Sequence, residues 1–349
     1  MNTVTIMSGE SLTRMLVKTM RRDYELKRKA PDVATEMEEL PTENRKNDEA
    51  RLSWFREAKF GMMIHWGLYA ELAGEWEGEE IPFLGEWIMQ FANISIEQYE
   101  KIAERFNPVE FNADAWVRLA RDAGMRYITI TSKHHEGFAM YHSEASNYNI
   151  VDATPFKRDP LRELADACHQ HDIKLCFYYS HGIDFHHPHA FRNDKFHPER
   201  GERNYSVYMK EKGLPQLREL LTKYGDIAMI WFDMPEQISL EHAQQYKNLV
   251  LELQPECIIG GRLGHGLEDF LSMGDNEIPE KVHSFPWETV ATINNTWGYK
   301  KNDHDWKSTA GLIRLLISVV SKGGNYTLNV GPTSTGIISL LQVENDYGG

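Results

Sequence analysis

The chain has 349 residues, of which 41% are hydrophobic and 26% are charged, so it is long enough for two domains or for one large α/β barrel. Its 52 acidic and 38 basic side chains give a net charge of −14, which argues against nucleic acid or anionic lipid as a partner because phosphate groups would be repelled. No apolar run approaches the ~20 residues that cross a bilayer, and the three cysteines form no CxxC pair, so we expect a soluble globular protein from a reducing compartment.

Residues 1–50 differ in composition from the rest of the chain. Residues 18–29 are dense in charge (KTMRRDYELKRK), and residues 36–51 are acidic and polar. The apolar stretch before them is too short and too broken for a secretory signal peptide, which predicts a cytoplasmic protein unless the start is misassigned. We predict a polar, partly helical N-terminal extension over residues 1–50, with an ordinary surface helix as the alternative, and one main domain over residues 51–349.

From residue 52 onward, short β-rich apolar runs alternate with amphipathic helical runs. Strands are predicted over Phe60–Trp66, Tyr127–Ser132, Lys174–Ser180, Ile227–Asp233, Cys257–Arg262 and Asn325–Val330. Helices are predicted over Ile96–Phe106, Ala113–Ala123, Leu161–His171, Pro215–Tyr224, Leu240–Leu253 and Ser308–Ser321. Asn112, Asp159 and Ser239 are suitable N-caps for three of these helices. The alternation predicts βαβ units around a parallel sheet that is buried on both faces.

Two parallel-sheet architectures compete, a closed (β/α)8 barrel and an open doubly wound sheet. No glycine-rich nucleotide-binding motif stands in a strand-to-helix turn, which weakens the case for the open sheet. Polar residues instead follow the C-terminal ends of several strands: His65, His134, His135, Tyr179, Asp233 and Arg262. In a (β/α)8 barrel those ends converge on one face. We therefore predict an α/β fold of the (β/α)8-like, TIM-type class.

Carboxylates near the predicted strand ends are candidates for acid/base or covalent chemistry. Asp233 ends an apolar strand, where it is either a catalytic carboxylate or a structural residue of the next loop. Four acids lie downstream, namely Asp275, Glu277, Glu280 and Glu288. A retaining glycosidase needs two carboxyl groups about 5–5.5 Å apart, and a mobile loop could bring one of these acids opposite Asp233.

Histidines and tryptophans surround the same strand ends. Adjacent side chains on an extended segment point to opposite sides, so His134 and His135 are unsuited to one metal. His186, His187 and His189 look more like metal ligands but match no known zinc spacing, so we predict no metal. We predict no organic cofactor either. Six tryptophans lie near strand ends or loops: Trp66, Trp76, Trp87, Trp231, Trp287 and Trp297. Aromatic rings with neutral histidines suit a sugar, although a core position is the better prediction for any single one of these tryptophans.

Motifs along residues 52–335 resemble the α-L-fucosidases of glycoside hydrolase family 29, in the family's order. They are Phe60–Gly67 (FGMMIHWG), Gly85–Trp87 (GEW), Thr131–Phe138 (TSKHHEGF), Tyr148–Asp152 (YNIVD), Pro155–Pro160 (PFKRDP), Trp231–Asp233 (WFD), Pro286–Thr289 (PWET), Trp297–Tyr299 (WGY) and Ser321–Pro332 (SKGGNYTLNVGP). The resemblance implies a barrel enzyme that removes terminal α-L-fucose from oligosaccharides or glycoconjugates by a retaining, double-displacement mechanism. The resemblance decides neither the linkage preference nor whether the protein forms a homo-oligomer.

The resemblance also implies roles for individual residues. Asp233 matches the family's nucleophile. The positions that match fucose contacts are His65, Glu86, Trp87, His134, His135, Tyr179, Trp231, Arg262 and, in the WGY motif, Trp297; Tyr178 is the neighbouring alternative to Tyr179. The family carries its acid/base on a variable loop, and the D-x4-E pattern makes Glu280 the first choice, Glu288 the second and Asp275 the third.

The chain departs from the family in two places. Met234 replaces the usual glycine after Trp-Phe-Asp, and the chain stops at Gly349, so we expect neither the final barrel helix nor the C-terminal β-sandwich domain of many relatives. Two alternatives to a fucosidase are an inactive fucose-binding relative and a zinc-dependent barrel hydrolase that uses the histidines at 186, 187 and 189.

Overall fold

Eight parallel strands form one sheet whose two edges nearly meet, which confirms the predicted (β/α)8-like barrel. The structure, a computed structural model, describes residues 50–338. The barrel strands are β1 (Phe60–Ile64), β4 (Tyr127–Lys133), β5 (Lys174–Ser180), β6 (Met229–Asp233), β7 (Ile258–Gly261), β8 (Leu271–Ser272), β9 (Trp287–Thr292) and β10 (Asn325–Val330). Their order is β7-β6-β5-β4-β1-β10-β9-β8, and β2 (Glu75–Trp76) and β3 (Glu79–Glu80) form a separate antiparallel pair.

Helices follow most of the barrel strands. They are α1 (Ser53–Ala58), α2 (Tyr69–Leu72), α3 (Ile88–Phe91), α4 (Ile96–Ala103), α5 (Ala113–Asp122), α6 (Ile150–Ala153), α7 (Pro160–Gln170), α8 (Tyr205–Tyr208), α9 (Leu214–Lys223), α10 (Leu240–Leu253) and α11 (Thr309–Ser321). The side chains of Asn112, Asp159 and Ser239 accept hydrogen bonds from the first turns of α5, α7 and α10, which confirms the three predicted N-caps.

All six predicted strands are present, and two further barrel strands, β8 and β9, were missed, as was the separate pair β2 and β3. The strand β8 is only two residues long, and β9 (WETVAT) contains Glu288 in place of a continuous apolar run. Both therefore lack the hydrophobic pattern on which a sequence-based assignment depends. The extension predicted over residues 1–50 lies outside the described residues except for Ala50, as do residues 339–349.

Side chains close the barrel between β7 and β8, where the short β8 offers few backbone groups for pairing. The Asp269 N–H donates to Ile259 O at 2.8 Å, and the Ile259 N–H donates back to the Asp269 carboxylate at 2.6 Å. Arg51 pairs with both oxygens of Asp269 at 2.6 Å and donates to Cys257 O at 3.0 Å. The ion pair is buried, and each of its charges is compensated by the other.

The described residues 50–338 contain no disulfide. Cys168, Cys176 and Cys257 are buried free thiols, and burial raises the pKa of Cys168 to about 12, so its thiolate is disfavoured. Within residues 50–338, no helix has the length and apolar character to cross a bilayer.

Candidate active site

One pocket opens at the C-terminal ends of the barrel strands, with about 280 Å³ of space including its mouth. It is lined by Met63, His65, Glu86, Trp87, His134, His135, Tyr178, Trp231, Asp233, Arg262, Asp275, Val290 and Trp297. Most side chains selected from the sequence therefore converge, as expected for a barrel. Three do not line this pocket: Tyr179, Glu280 and Glu288.

Asp233 is the last residue of β6, and several donors surround its buried carboxylate. Tyr178 Oη donates to Oδ2 at 2.8 Å, while Arg262 Nη1 and the backbone N–H of Met234 donate to Oδ1 at 3.0 and 2.9 Å. His135 Nε2 lies 3.7 Å from Oδ2. Hydrogen bonds and a positive charge both favour the ionised carboxylate, which is the form that can attack an electrophilic carbon.

Arg262 joins Asp233 to a second carboxylate, that of Asp275. Its Nη2 donates to Asp275 Oδ1 at 2.8 Å while its Nη1 contacts Asp233. The turn before Arg262 depends on Gly261, which has a φ of +71° and where a Cβ would clash with the carbonyl oxygen of Phe232. Two carboxyl groups thus contact one guanidinium at the pocket mouth.

The segment that carries Asp275 is hydrogen-bonded to β9. The Met273 N–H donates to Glu288 O at 3.0 Å, and the Asn276 N–H donates to Val290 O at 2.9 Å. Asp275 lies between these two hydrogen bonds, so its backbone continues the barrel beyond β8. Asn276 Oδ1 also accepts from the Thr292 N–H at 3.0 Å, which fixes the far side of the bend.

Glu280, the first choice for the acid/base, is exposed and lies away from the pocket. Asp275, the third choice, is the one of the three candidates that lines the pocket, where it contacts Arg262.

Glu288, the second choice, points into the barrel interior instead of the pocket. Its Oε1 accepts from Trp231 Nε1 and its Oε2 accepts from Thr327 Oγ1 at 3.0 Å. Burial raises the pKa of Glu288 to about 7. Such a pKa would suit a general acid. However, one oxygen of Glu288 is hydrogen-bonded to Trp231, whose side chain lines the pocket, so we assign Glu288 to the support of that ring.

Tyr178, not Tyr179, lines the pocket. Successive side chains of β5 point to opposite faces, and Tyr179 Oη donates outward to Gln216 Oε1 on α9 at 3.0 Å. The Tyr178 ring stacks at 5.5 Å on the rings of both Trp231 and His134. The alternative named from the sequence is therefore the residue that the structure places beside Asp233.

The short 3₁₀ turn Gly85–Trp87 supplies one wall of the pocket. Glu86 is buried, and its Oε2 accepts from the backbone N–H groups of Gly298 and Trp297 at 2.9 and 3.2 Å. Trp87 packs against His135 with the ring centroids 4.6 Å apart. A carboxylate beside two indole rings can accept hydrogen bonds from hydroxyls while the rings contact an apolar C–H face.

Comparison with known proteins agrees with this geometry. The sequence profile described as Alpha-L-fucosidase matches residues 27–345. The chain belongs to the alpha-L-fucosidase family. It is 31% identical over 315 residues to the plasma alpha-L-fucosidase of Homo sapiens and 30% identical over 308 residues to the tissue alpha-L-fucosidase of Bos taurus. These matches cover 83% and 82% of this chain but 64% of each relative, so the chain spans less than two thirds of their length.

Solved structures of family members have the same fold. The alpha-L-fucosidase AlfC from Lactobacillus casei, in complex with its alpha-L-fucose product, has a TM-score of 0.80 and 41% identity over 84% of this chain and 94% of that one. The alpha-L-fucosidase from Vibrio sp. strain EJY3 has a TM-score of 0.80 and 40% identity over 83% of this chain and 53% of that one.

Within this family framework, His134 and His135 both line the pocket although they are adjacent. The strand β4 shifts register between Thr131 and Lys133 and ends at Lys133, so the two histidines no longer alternate as strand residues do. Their ring centroids are 4.0 Å apart. The expectation that they point to opposite sides was wrong because it assumed an extended backbone.

The histidines at 186, 187 and 189 lie outside the pocket. His186 Nε2 contacts Glu100 at 2.7 Å and stacks on Tyr148 at 4.2 Å, and His187 Nε2 contacts Glu211 at 3.2 Å. Over residues 50–338, no group of three or more His, Cys, Asp or Glu side chains is arranged to hold a metal ion.

The six tryptophans divide between pocket and core. Trp87, Trp231 and Trp297 line the pocket, whereas Trp66 and Trp287 are fully buried core residues and Trp76 lies on β2. Sequence reasoning missed two apolar lining residues, Met63 and Val290. Met63, on β1, could have been found because it precedes His65 by two positions, but Val290 lies on β9, which was not predicted.

Proposed function

We propose that this chain is a retaining exo-α-L-fucosidase that hydrolyses terminal α-L-fucose in oligosaccharides or glycoconjugates. One observation carries the proposal: Asp233 and Asp275 line the same pocket and contact the same Arg262 guanidinium. A retaining glycosidase uses two such carboxyl groups in distinct roles. AlfC, the family member above, has been solved with 4-nitrophenyl-α-L-fucopyranoside and with Fucα(1,6)GlcNAc, which supports a fucoside as the ligand class.

In the first step, an Asp233 oxygen attacks the anomeric carbon and forms a covalent glycosyl ester. The bond from that carbon to the leaving-group oxygen breaks, and protonated Asp275 gives its proton to this oxygen. Arg262 then interacts with Asp275 as it becomes a carboxylate, since its Nη2 lies 2.8 Å from Oδ1. The step thus creates a negative charge where a cation is already positioned.

In the second step, Asp275 accepts a proton from water, and the water oxygen attacks the anomeric carbon. The ester bond breaks, fucose is released with retained configuration, and Asp233 returns as a carboxylate. Tyr178 and Arg262 stabilise that carboxylate as a leaving group, because both donate to its oxygens at 2.8 and 3.0 Å. The two carboxyl groups and one water account for both steps.

Hydrolysis of 4-nitrophenyl-α-L-fucopyranoside tests the assignment. Asp233→Ala should lower kcat by about a thousandfold or more, since the covalent step is lost. Asp275→Asn should lower kcat/KM by roughly 10²–10⁴-fold on a fucosyl disaccharide, but less on the nitrophenyl substrate, whose leaving group needs little protonation.

Glu280→Gln is the matched control, because it neutralises an exposed acid of the same region. It should leave both rates within about twofold of the wild type, since surface substitutions rarely perturb a site they do not touch. A collapse of activity in Glu280→Gln with normal activity in Asp275→Asn would restore the original ranking. Fucose binding in calorimetry without any turnover would favour the alternative of an inactive fucose-binding relative.

A further inference from the structure

His135 lies between the proposed nucleophile and a buried serine at the end of β5. Its Nε2 is 3.7 Å from Asp233 Oδ2, and its Nδ1 is 2.7 Å from Ser180 Oγ. Both His135 and Ser180 are almost completely buried. The two ring nitrogens therefore face different partners, and the hydrogen that one of them carries decides what the other can do.

The direction of the hydrogen bond between Ser180 and His135 follows from a third group. Ser180 Oγ also lies 2.8 Å from the carbonyl oxygen of Ile183, which can only accept. The single hydroxyl hydrogen of Ser180 is therefore donated to Ile183, and the hydroxyl oxygen accepts from His135 Nδ1. It follows that Nδ1 carries a hydrogen and that Nε2 of the neutral ring is an acceptor.

Ser180 has little freedom to reverse this arrangement. It pairs in register with Asp233 across β5 and β6, and its carbonyl oxygen accepts from the buried Lys133 Nζ at 2.5 Å. Its backbone is thus held on both sides, so the hydroxyl keeps its position between His135 and Ile183.

Of the other two pocket histidines, His65 follows the same pattern. His65 Nδ1 is 2.7 Å from Asn329 Oδ1, and the Asn329 amide is oriented by its Nδ2, which donates to Trp297 O at 2.8 Å. His134 differs, because its Nδ1 lies 3.4 Å from Glu136 Oε2 without a hydrogen bond. His65 thus resembles His135 in directing Nδ1 at an acceptor of the protein.

We propose that Ser180 is a positioning residue that holds His135 in the Nδ1–H tautomer, so that Nε2 accepts a hydrogen bond from a fucose hydroxyl. The fucose part of this inference rests on the proposed function. With the opposite tautomer, Nε2 would carry a hydrogen that faces Asp233 Oδ2 at 3.7 Å, and it could no longer accept a hydrogen bond from the sugar. Ser180 therefore acts on the reaction through His135 without touching the substrate.

Nitrogen-15 NMR of the histidine rings measures the tautomer directly, at a pH where the His135 ring is shown by titration to be neutral. The His135 signal is assigned by its loss in His135→Gln. In the wild type we expect a hydrogen on Nδ1 and a pyridine-like Nε2. Ser180→Ala should move the hydrogen toward Nε2, whereas Ser180→Thr, which keeps the hydroxyl, should retain the wild-type signal.

Kinetics on 4-nitrophenyl-α-L-fucopyranoside supply the second readout. Ser180→Ala should lower kcat/KM roughly tenfold, equivalent to about one hydrogen bond, and Ser180→Thr should recover most of it. Ser143→Ala is the matched control, because Ser143 is a buried serine that accepts a hydrogen bond from Gln216 Nε2 at 3.1 Å outside the pocket. Its kcat/KM should stay within about twofold of the wild type.

Two results would overturn the inference: a hydrogen on Nε2 of His135 in the wild type, or an unchanged His135 signal in Ser180→Ala. The NMR experiment needs no turnover. A wild-type chain without fucosidase activity would therefore refute the proposed function, while the tautomer of His135 would still be measured.

Discussion

Glu288 is a buried acid inside the barrel, and replacing it by glutamine should change the pH dependence of stability. The substitution keeps an oxygen that can accept from Trp231 Nε1. The amide of the new glutamine can donate to Thr327 Oγ1. Thr327 then donates its own hydrogen to Tyr127 Oη, since the 2.7 Å hydrogen bond between these two residues can run in either direction. Glu288→Gln therefore removes a titrating group without leaving an unpaired one.

The magnitude follows from the difference between the folded and unfolded states. Burial raises the pKa of Glu288 from 4.5 to about 7. Between these values the unfolded chain loses this proton while the folded chain retains it, so the free energy of unfolding falls as pH rises and levels off above the folded pKa. This pKa shift corresponds to about 3 kcal/mol of unfolding free energy. The wild type loses this amount as the pH rises, and Glu288→Gln does not.

Urea denaturation of the two proteins at about pH 5 and about pH 8 measures this difference. The advantage of Glu288→Gln over the wild type should grow by roughly 2–3 kcal/mol between these conditions. Glu280→Gln, which removes an exposed carboxylate, controls for the change in net charge. A stability difference between Glu288→Gln and the wild type that is the same at both pH values would refute the reasoning, because Glu288 would then titrate alike in both states.

Three further predictions concern residues around the site. Tyr178→Phe should lower kcat/KM roughly tenfold, because it removes a hydrogen-bond donor to the nucleophile. Tyr179→Phe should lower only the free energy of unfolding, by about 1 kcal/mol. Enzyme kinetics and urea denaturation distinguish the two effects. Met234 has a φ of 55°, so Met234→Gly should be more stable than Met234→Ala by about 1 kcal/mol in denaturation, and the opposite order would contradict the strain. Asp184→Asn leaves two buried lysines without their shared carboxylate. It should lower the free energy of unfolding by about 3–5 kcal/mol in the same assay, which is more than Lys133→Met should. An equal loss in the two variants would argue against the shared ion pair.

The candidate site was predictable wherever local chemistry carried the signal. Asp233 ends a strand whose residues are all buried, so its carboxylate emerges at the mouth in any parallel barrel. The choice between Tyr178 and Tyr179 was not predictable in this way, because a one-residue change in the phase of a strand exchanges its two faces. The facing residue is set by how β5 pairs with β4 and β6.

Asp275 illustrates a second limit. Its carboxylate is only one of four in a polar stretch, and the two-residue β8 beside it has no periodic pattern. Hydrogen bonds from this segment to β9 place Asp275 beside Arg262, which follows β7. These bonds join parts of the chain that are not neighbours in the sequence.

Alternating hydrophobic runs, helix caps and acids at strand ends by themselves determined that this chain forms a parallel barrel with Asp233 at its mouth, since each depends on residues that are near neighbours in the chain. Only the tertiary structure decided which carboxylate faces Asp233, which tyrosine supports it and which ring nitrogen of His135 carries the hydrogen. These depend on strand register and on contacts such as Ser180 with His135, which the chain makes only after the barrel has closed.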